Sequence, residues 1–171
     1  MQEEPRKYWL AFYTKPRHEF KAETEIAARD IEVFLPKITV LKQWSDRKKK
    51  VTEPLFKSYI FAKCNEKERM EVLQLKSIVT NIHFEGKPAH VPDWEIEGIK
   101  KMLDSNLDVK VTDELREGAL VKITDGPLAG IKGIVSDTKH GKKEIAITIE
   151  MLNRTVIATV PVANIEVLRA G

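Results

Sequence analysis

Residues 125–133 read DGPLAGIKG, which puts three of the chain's eight glycines and a proline into nine positions before apolar residues resume at Ile134-Val135. Two readings compete for such a cluster. A phosphate-binding loop needs GxxxxGK followed by Ser or Thr, because backbone amides wrap the anion while the lysine and hydroxyl meet phosphate and magnesium. Neither Gly130 nor Gly133 is followed by that pair, and Gly86-Lys87 and Gly141-Lys142 lack the hydroxyl residue too. The cluster therefore reads as a turn, in which Gly126, Pro127, Gly130 and Gly133 permit a tight reversal and close approach of strands. Around it lie five short β-runs, Ala119-Thr124, Ile131-Asp137, Glu144-Met151, Thr155-Pro161 and Ile165-Leu168, separated by DGPLAG, TKHGKK and LNR. Five strands in about 50 residues predict a small barrel.

The rest of the chain is built differently. The first 85 residues contain no glycine, and seven of the eight fall between 86 and 141. With 171 residues, 42% of them apolar, there is room for two small cores. YWLAFY (8–13) predicts a strand and His18–Arg29 a helix. Glu32–Gln43 and Val51–Lys63 predict two β-rich runs of a long hairpin, with Pro36 and Pro54 at edges or bulges. A helix over 66–76, a strand over 77–84 and a helix from Pro92-Asp93 onward complete the order β-α-β-β-α-β-α. That order is the ferredoxin-like split βαβ plan with an added helix, an α+β domain with helices on one face of an antiparallel sheet. The boundaries read as 6–106 for this domain, 107–116 (LDVKVTDELR) for a polar linker in which Val109 and Val111 also fit a short strand, and 117–171 for the barrel.

Strand alternation divides the side chains of the N-terminal sheet between two faces. Leu10 and Phe12 share one face and Trp9, Ala11 and Tyr13 the other, while Ile60 and Ala62 oppose Tyr59 and Phe61. If the aliphatics face the helices, Trp9, Tyr13, Tyr59 and Phe61 form an aromatic surface suited to a partner helix. The pattern alone leaves open the reverse assignment, or a loop covering these rings.

Charge is localised. The net +3 sits entirely in residues 1–106, which hold 20 Lys/Arg against 17 Asp/Glu, whereas 107–171 hold 9 against 9. LKQWSDRKKK (41–50) carries five bases and one acid. It reads as a solvated hairpin tip or as a contact with a nucleic-acid backbone. Cys64 is the only cysteine, which excludes disulfides and multi-cysteine zinc sites, and in YIFAKC it reads as packing. His18, His83, His90 and His140 have no catalytic or metal-binding constellation at motif spacing, so neither an enzyme, a metal site nor a cofactor is expected. No run approaches a membrane span, and Met1-Gln2-Glu3-Glu4 is unlike a signal peptide. A cytoplasmic monomer is the expectation.

Residues 117–135, EGALVKITDGPLAGIKGIV, resemble the KOW motif. YWLAFYTKPRHEFKA, PLFKSYIFAK and GKPAHVPDWEI resemble the NGN domain of NusG-type transcription elongation factors. The match runs along nearly the whole chain, and VFLPKITVLKQWSDRKKKVTEPLFKSYIFAK is more similar to specialised paralogues of the UpxY, LoaP and RfaH kind. The resemblance implies an NGN domain that binds the clamp helices of RNA polymerase through an apolar pocket, bridges the DNA cleft and suppresses pausing or termination. It also implies an SH3-like KOW barrel that recruits a ribosomal small-subunit protein or the termination factor Rho. On the family's motif positions, Phe56, Tyr13, Tyr59 and Phe61 fall in the pocket, with Trp9 beside them. Lys15, Arg17 and His18 fall where specialised members approach non-template DNA, and Arg47, Lys48, Lys49 and Lys50 lie on a tip that reaches toward upstream DNA. Leu128 stands where the KOW motif often has a partner-binding phenylalanine. Lys57-Ser58 replaces a common Pro-Gly, and Asn81 stands where an aromatic pocket residue can occur. One specialised relative stores its KOW domain as a helical hairpin. Here the β-branched run EIAITIEMLNRTVIATV (144–160) predicts constitutive strands. A KOW-type RNA- or ribosome-binding protein is the competing reading, and it predicts a basic barrel.

Overall fold

The structure is a computed structural model that describes residues 4–113, 118–137, 143–149, 152–160 and 165–169. It divides into two compact units, Met1–Val91 and Pro92–Gly171.

The first unit contains β1 (Tyr8–Thr14), α1 (Glu19–Ala27), β2 (Glu32–Phe34), β3 (Lys37–Gln43), β4 (Lys48–Pro54), β5 (Tyr59–Cys64), α2 (Glu66–Leu73) and β6 (Ile78–Asn81). Three two-residue strands follow, β7 (His83–Phe84), β8 (Lys87–Pro88) and β9 (His90–Val91). The main sheet has the order β2-β5-β1-β6, with β9 also on β1, and its pairs are antiparallel. This is the split βαβ arrangement, with the first strand placed between the third and the last. Leu10, Phe12, Ile60 and Ala62 pack with Ala22 and Ile26 of α1 and Val72 of α2, so the aliphatic face meets the helices. Asn65 begins α2 with a reciprocal capping box, its side chain accepting from the Glu68 N–H while the Glu68 carboxylate accepts from the Asn65 N–H, which satisfies two otherwise orphaned donors.

The two long β-runs are each split. Proline lacks a ladder donor and restricts its predecessor. At Leu35-Pro36 the chain leaves the sheet after β2, and β3 pairs only with β4 as a separate ribbon. The second run breaks at residues 55–58, between β4 and β5.

The second unit contains α3 (Asp93–Asp104), β10 (Val109–Thr112), β11 (Ala119–Ile123), β12 (Lys132–Asp137), β13 (Lys143–Ile149), β14 (Arg154–Val160) and β15 (Ile165–Arg169). Its antiparallel sheet runs β10-β14-β13-β12-β11-β15. β13 and β14 pair in unbroken register from Lys143↔Val160 to Ile149↔Arg154, and Ile145, Ile147 and Ile149 are buried together, as period-two alternation requires. Val109–Thr112, within the expected linker, is the short strand that Val109 and Val111 also fit, and it pairs with β14 at the edge of the sheet. The first compact unit ends at Val91, and α3 packs on β12 and β13. A Cβ at Gly98 of this helix would collide with the Ile147 side chain, so glycine permits the close approach. Residues 114–116, Met151 and Pro161 of the expected strand ends, and residues 138–142 of the TKHGKK turn, with His140 and Gly141, lie outside the described residues. No helix among the described residues is long and apolar enough to cross a membrane.

Candidate functional site

The helix-free face of the first unit's sheet carries Trp9, Ala11 and Tyr13 from β1 and Tyr59 and Phe61 from β5. Register sets Tyr13 opposite Tyr59 and Ala11 opposite Phe61. The rings form two groups. Tyr13 and Tyr59 meet edge-to-face at 5.5 Å, with Tyr13 36% exposed. Phe61 packs between Phe56, edge-to-face at 6.0 Å, and Phe34, stacked at 6.2 Å. The expectation that all these rings form surface is corrected here, since Trp9, Phe56 and Phe61 are at most 2% exposed. Phe61 sits on a central strand with rings on both sides, so its area is spent on packing. Asn81 is no part of this face. Paired with Phe12 across β1–β6, it turns toward α2 and accepts from the Arg69 guanidinium at 2.9 Å.

A cleft of about 520 Å³ is lined by Pro16, Arg17, Glu19 and Phe20 at the start of α1, by Lys42, Thr52, Glu53 and Pro54 of the ribbon, and by Lys57 and Ser58. Arg17 and Ser58 both hold left-handed backbone, at φ 63° and 66°. Ser58 is fixed there by its own peptide groups, its N–H donating to buried Glu19 at 2.8 Å and its carbonyl accepting from the Thr14 N–H at 2.8 Å. Lys42 is neutralised by Glu53 at 2.6 Å, and the hydrogen bond from Lys42 holds the Glu53 carboxyl below its ordinary pKa. For Arg17 and Lys57 no ion pair is found among the described residues. With the Glu19 carboxylate also in the lining, three cations face two carboxylates, and the cleft keeps a net charge of one positive.

The ribbon connects this cleft to the basic tip. Lys42 is the cross-strand partner of Lys49, and the Trp44 N–H closes the turn on the Arg47 carbonyl at 2.8 Å. Arg47, Lys48, Lys49 and Lys50 are exposed. Trp44 was not singled out from sequence, although it stands inside the basic run. It is 55% exposed with the Lys49 ammonium 5.8 Å from its ring, and exposed rings beside cations suit stacking on unpaired bases. Of the three residues after β1, Arg17 alone lines the cleft. Lys15 is exposed beside it, and the His18 ring is engaged with the Pro16 carbonyl at 2.9 Å.

In the second unit the glycine cluster is a turn. The Ala129 N–H donates to Gly126, and the Gly130 N–H to Ile123 at 2.7 Å. Gly126 and Gly130 have φ of 84° and 89°, where glycine is unstrained. Pro127 sits at the exposed tip. Gly133 serves a different purpose, since a Cβ there would come 2.7 Å from the Ala146 carbonyl on β13. Leu128 is only 1% exposed, and the Lys101 ammonium of α3 donates to the next carbonyl, that of Ala129. In this conformation Leu128 is core, so a partner cannot reach it. The Cys64 thiol, with its pKa pushed up to about 12 by burial and then by Glu68, is not a nucleophile. Among the described residues no group of His, Cys, Asp and Glu could hold a metal ion.

A split βαβ sheet with an electropositive cleft and a basic ribbon, followed by a small β domain turning on a glycine cluster, defines a two-part α+β protein of the NGN and KOW kind. Residues 7–100 match the family model described as NusG, transcription termination factor nusG, and the chain belongs to that family of transcription termination/antitermination factors. It is 24% identical to the transcription termination/antitermination protein NusG of Haemophilus influenzae over 79% of this chain and 75% of the relative. To the Escherichia coli K12 protein of the same name it is 22% identical over 97% and 99%. The solved structure titled "Domain interaction in Thermotoga maritima NusG" shares the fold, with a TM-score of 0.51 and 21% identity, covering 96% of this chain and 98% of that one.

Proposed function

We propose that this protein is a transcription elongation factor that binds the clamp helices of RNA polymerase through its helix-free sheet face and suppresses pausing or termination. The observation that carries this reading is the half-exposed Tyr13–Tyr59 pair, 5.5 Å apart, beside the buried Phe56–Phe61 group. A rigid pair of rings backed by packed aromatics is the kind of anchor on which interface energy concentrates. The cleft with Arg17 and Lys57 and the tip with Trp44 and Arg47–Lys50 would lie along non-template or upstream DNA. The second unit recruits a further partner, a ribosomal small-subunit protein or Rho, once Leu128 is uncovered.

The test is co-purification of polymerase with the Tyr13→Ala, Tyr59→Ala double variant, which leaves buried Phe61 in place. Binding should weaken at least about tenfold with an unchanged circular dichroism spectrum. Full retention by a folded variant sinks the polymerase contact, and recovery of ribosomal subunits instead favours the RNA- or ribosome-binding reading. Separately, Arg47, Lys48, Lys49 and Lys50→Gln should reduce the salt dependence of binding to an elongation complex, because counterion release scales with phosphate contacts. An unchanged slope removes the tip from the DNA path.

A further inference from the structure

A second cavity, of about 410 Å³, lies on the opposite, helix-bearing side of the first unit, where β1, β8 and β9 meet the start of α2. Its lining includes Arg6, Tyr8, Arg69, Lys87 and His90, with Leu10 and Cys64 as an apolar floor. Register explains the grouping. His90 pairs with Leu10 on β1, which makes it the diagonal neighbour of Tyr8 on the same face, within reach of an aromatic ring. The two rings stack at 4.1 Å with planes 14° apart, and the Arg6 guanidinium lies 5.2 Å from the Tyr8 centroid. His90 is exposed, and no further ring contacts it among the described residues.

The charges are arranged unequally around this stack. Glu66 and Arg69 neutralise each other through a two-point contact, and Arg69 also holds Asn81. Lys7 is engaged with Glu68 at 2.6 Å. Arg6 and Lys87 have no ion pair among the described residues, so the cavity keeps an excess of two cations at its rim. A near-parallel pair of rings ending in an exposed imidazole, rimmed by cations, is the arrangement that accepts a flat π-system attached to an anion. It contributes little to the hydrophobic core, whose sheet residues begin at Leu10.

We infer that this Arg6–Tyr8–His90 stack, with Lys87, is a second nucleic-acid contact that takes one unpaired base of a single strand onto His90 and its flanking phosphates onto Arg6 and Lys87. The inference does not depend on the ribbon or on polymerase binding, because its cavity shares no residue with the ribbon cleft or with the Tyr13–Tyr59 pair. The test uses the full chain with Arg47, Lys48, Lys49 and Lys50 already changed to Gln, so that the ribbon tip is silent. Anisotropy is measured with short fluorescein-labelled single-stranded RNA and DNA of mixed sequence. His90→Ala should weaken binding about tenfold in the arm that supplies the natural strand, and loss in both arms assigns the site to single strands of either sugar. Lys87→Gln should lower the salt slope by about one phosphate contact. Retained affinity of a folded His90→Ala protein in both arms overturns the inference. Competition by a free mononucleotide equal to that by the oligomer also overturns it, since the flanking phosphates would then contribute nothing. Tyr8→Leu, which keeps an apolar strand residue, should reproduce the loss.

Discussion

The two units solve the same packing problem with different residues. Eleven of the twelve aromatic residues lie in Met1–Val91 and only Trp94 beyond it, whereas seven of the eight glycines lie in Pro92–Gly171. The first unit fills its sheet with rings and aliphatics, and the second with Ile145, Ile147, Ile149, Val156 and Ile157. Their turns differ in the same way. Among the described residues, left-handed backbone falls on Arg17, Asp30, Ser58, Glu85 and Gly86 in the first unit, but on Gly118, Gly126, Gly130 and Asn153 in the second. Strained non-glycine backbone collects where a side chain is needed, and two of the first unit's four such residues, Arg17 and Ser58, line the electropositive cleft. The contrast teaches that the second unit is shaped by backbone fit and the first by the side chains it presents.

The largest expected effect tests the aromatic half of that contrast. Phe61→Ala should destabilise the first unit by about 3–5 kcal/mol, as loss of a buried ring does, read by chemical denaturation with NMR signals of the second unit as an internal reference. A cost below about 1 kcal/mol would mean that Phe61 is surface after all, below the range for buried-ring truncation. The counterpart is Gly133→Ala. Its new methyl meets the Ala146 carbonyl and Ile145, neither of which can retreat without shifting β13, so the second unit should lose about 1–3 kcal/mol while the first keeps its stability. Equal loss in both units would show that they unfold as one and that the comparison fails energetically.

Much of this was legible in the chain. Period-two alternation separated Leu10 and Phe12 from Trp9 and Tyr13, because a strand can bury only one of two alternating sets against its helices. The run from Glu144 to Val160 read as strands because its β-branched residues suit nothing else so well, and the described strands β13 and β14 pair there. What was not legible depends on contacts between distant segments. Nothing in YIFAKC reveals that Phe34 and Phe56 will enclose Phe61, since one comes from β2 and the other from the turn before β5. Asn81 was assigned by position to the aromatic face, but pairing with Phe12 turned it toward Arg69. Leu128 stands at a motif position associated with partner binding, and nothing in its turn reveals that it is buried; the amphipathic stripe of α3 likewise does not say which strands it meets. Gly98 was the one local sign, a helical glycine that costs about 1 kcal/mol relative to alanine and so calls for a close neighbour.

The smallest effect is the most direct comparison of the two turn strategies. Ser58 pays for a left-handed φ of 66°, a conformation that costs a residue with a Cβ about 1–2 kcal/mol. Ser58→Gly removes that cost. The two backbone hydrogen bonds that fix the turn, to Glu19 and from Thr14, need no side chain and persist. Against the gain stands the extra freedom of glycine in the unfolded chain, about 0.5–1 kcal/mol, so the net should be a stabilisation of under about 1 kcal/mol. Gly126→Ala makes the opposite change at φ 84°, where nothing lies within 4 Å of the added methyl. Any loss is therefore backbone strain alone, partly offset by the stiffer unfolded chain, and it should be about 1 kcal/mol. Paired denaturation curves decide it. Opposite signs show that the two units differ only in which residue bears the same backbone demand. A destabilised Ser58→Gly protein would mean that the serine side chain itself holds the cleft, and the electropositive site would then owe its shape to Ser58 as well as to Arg17.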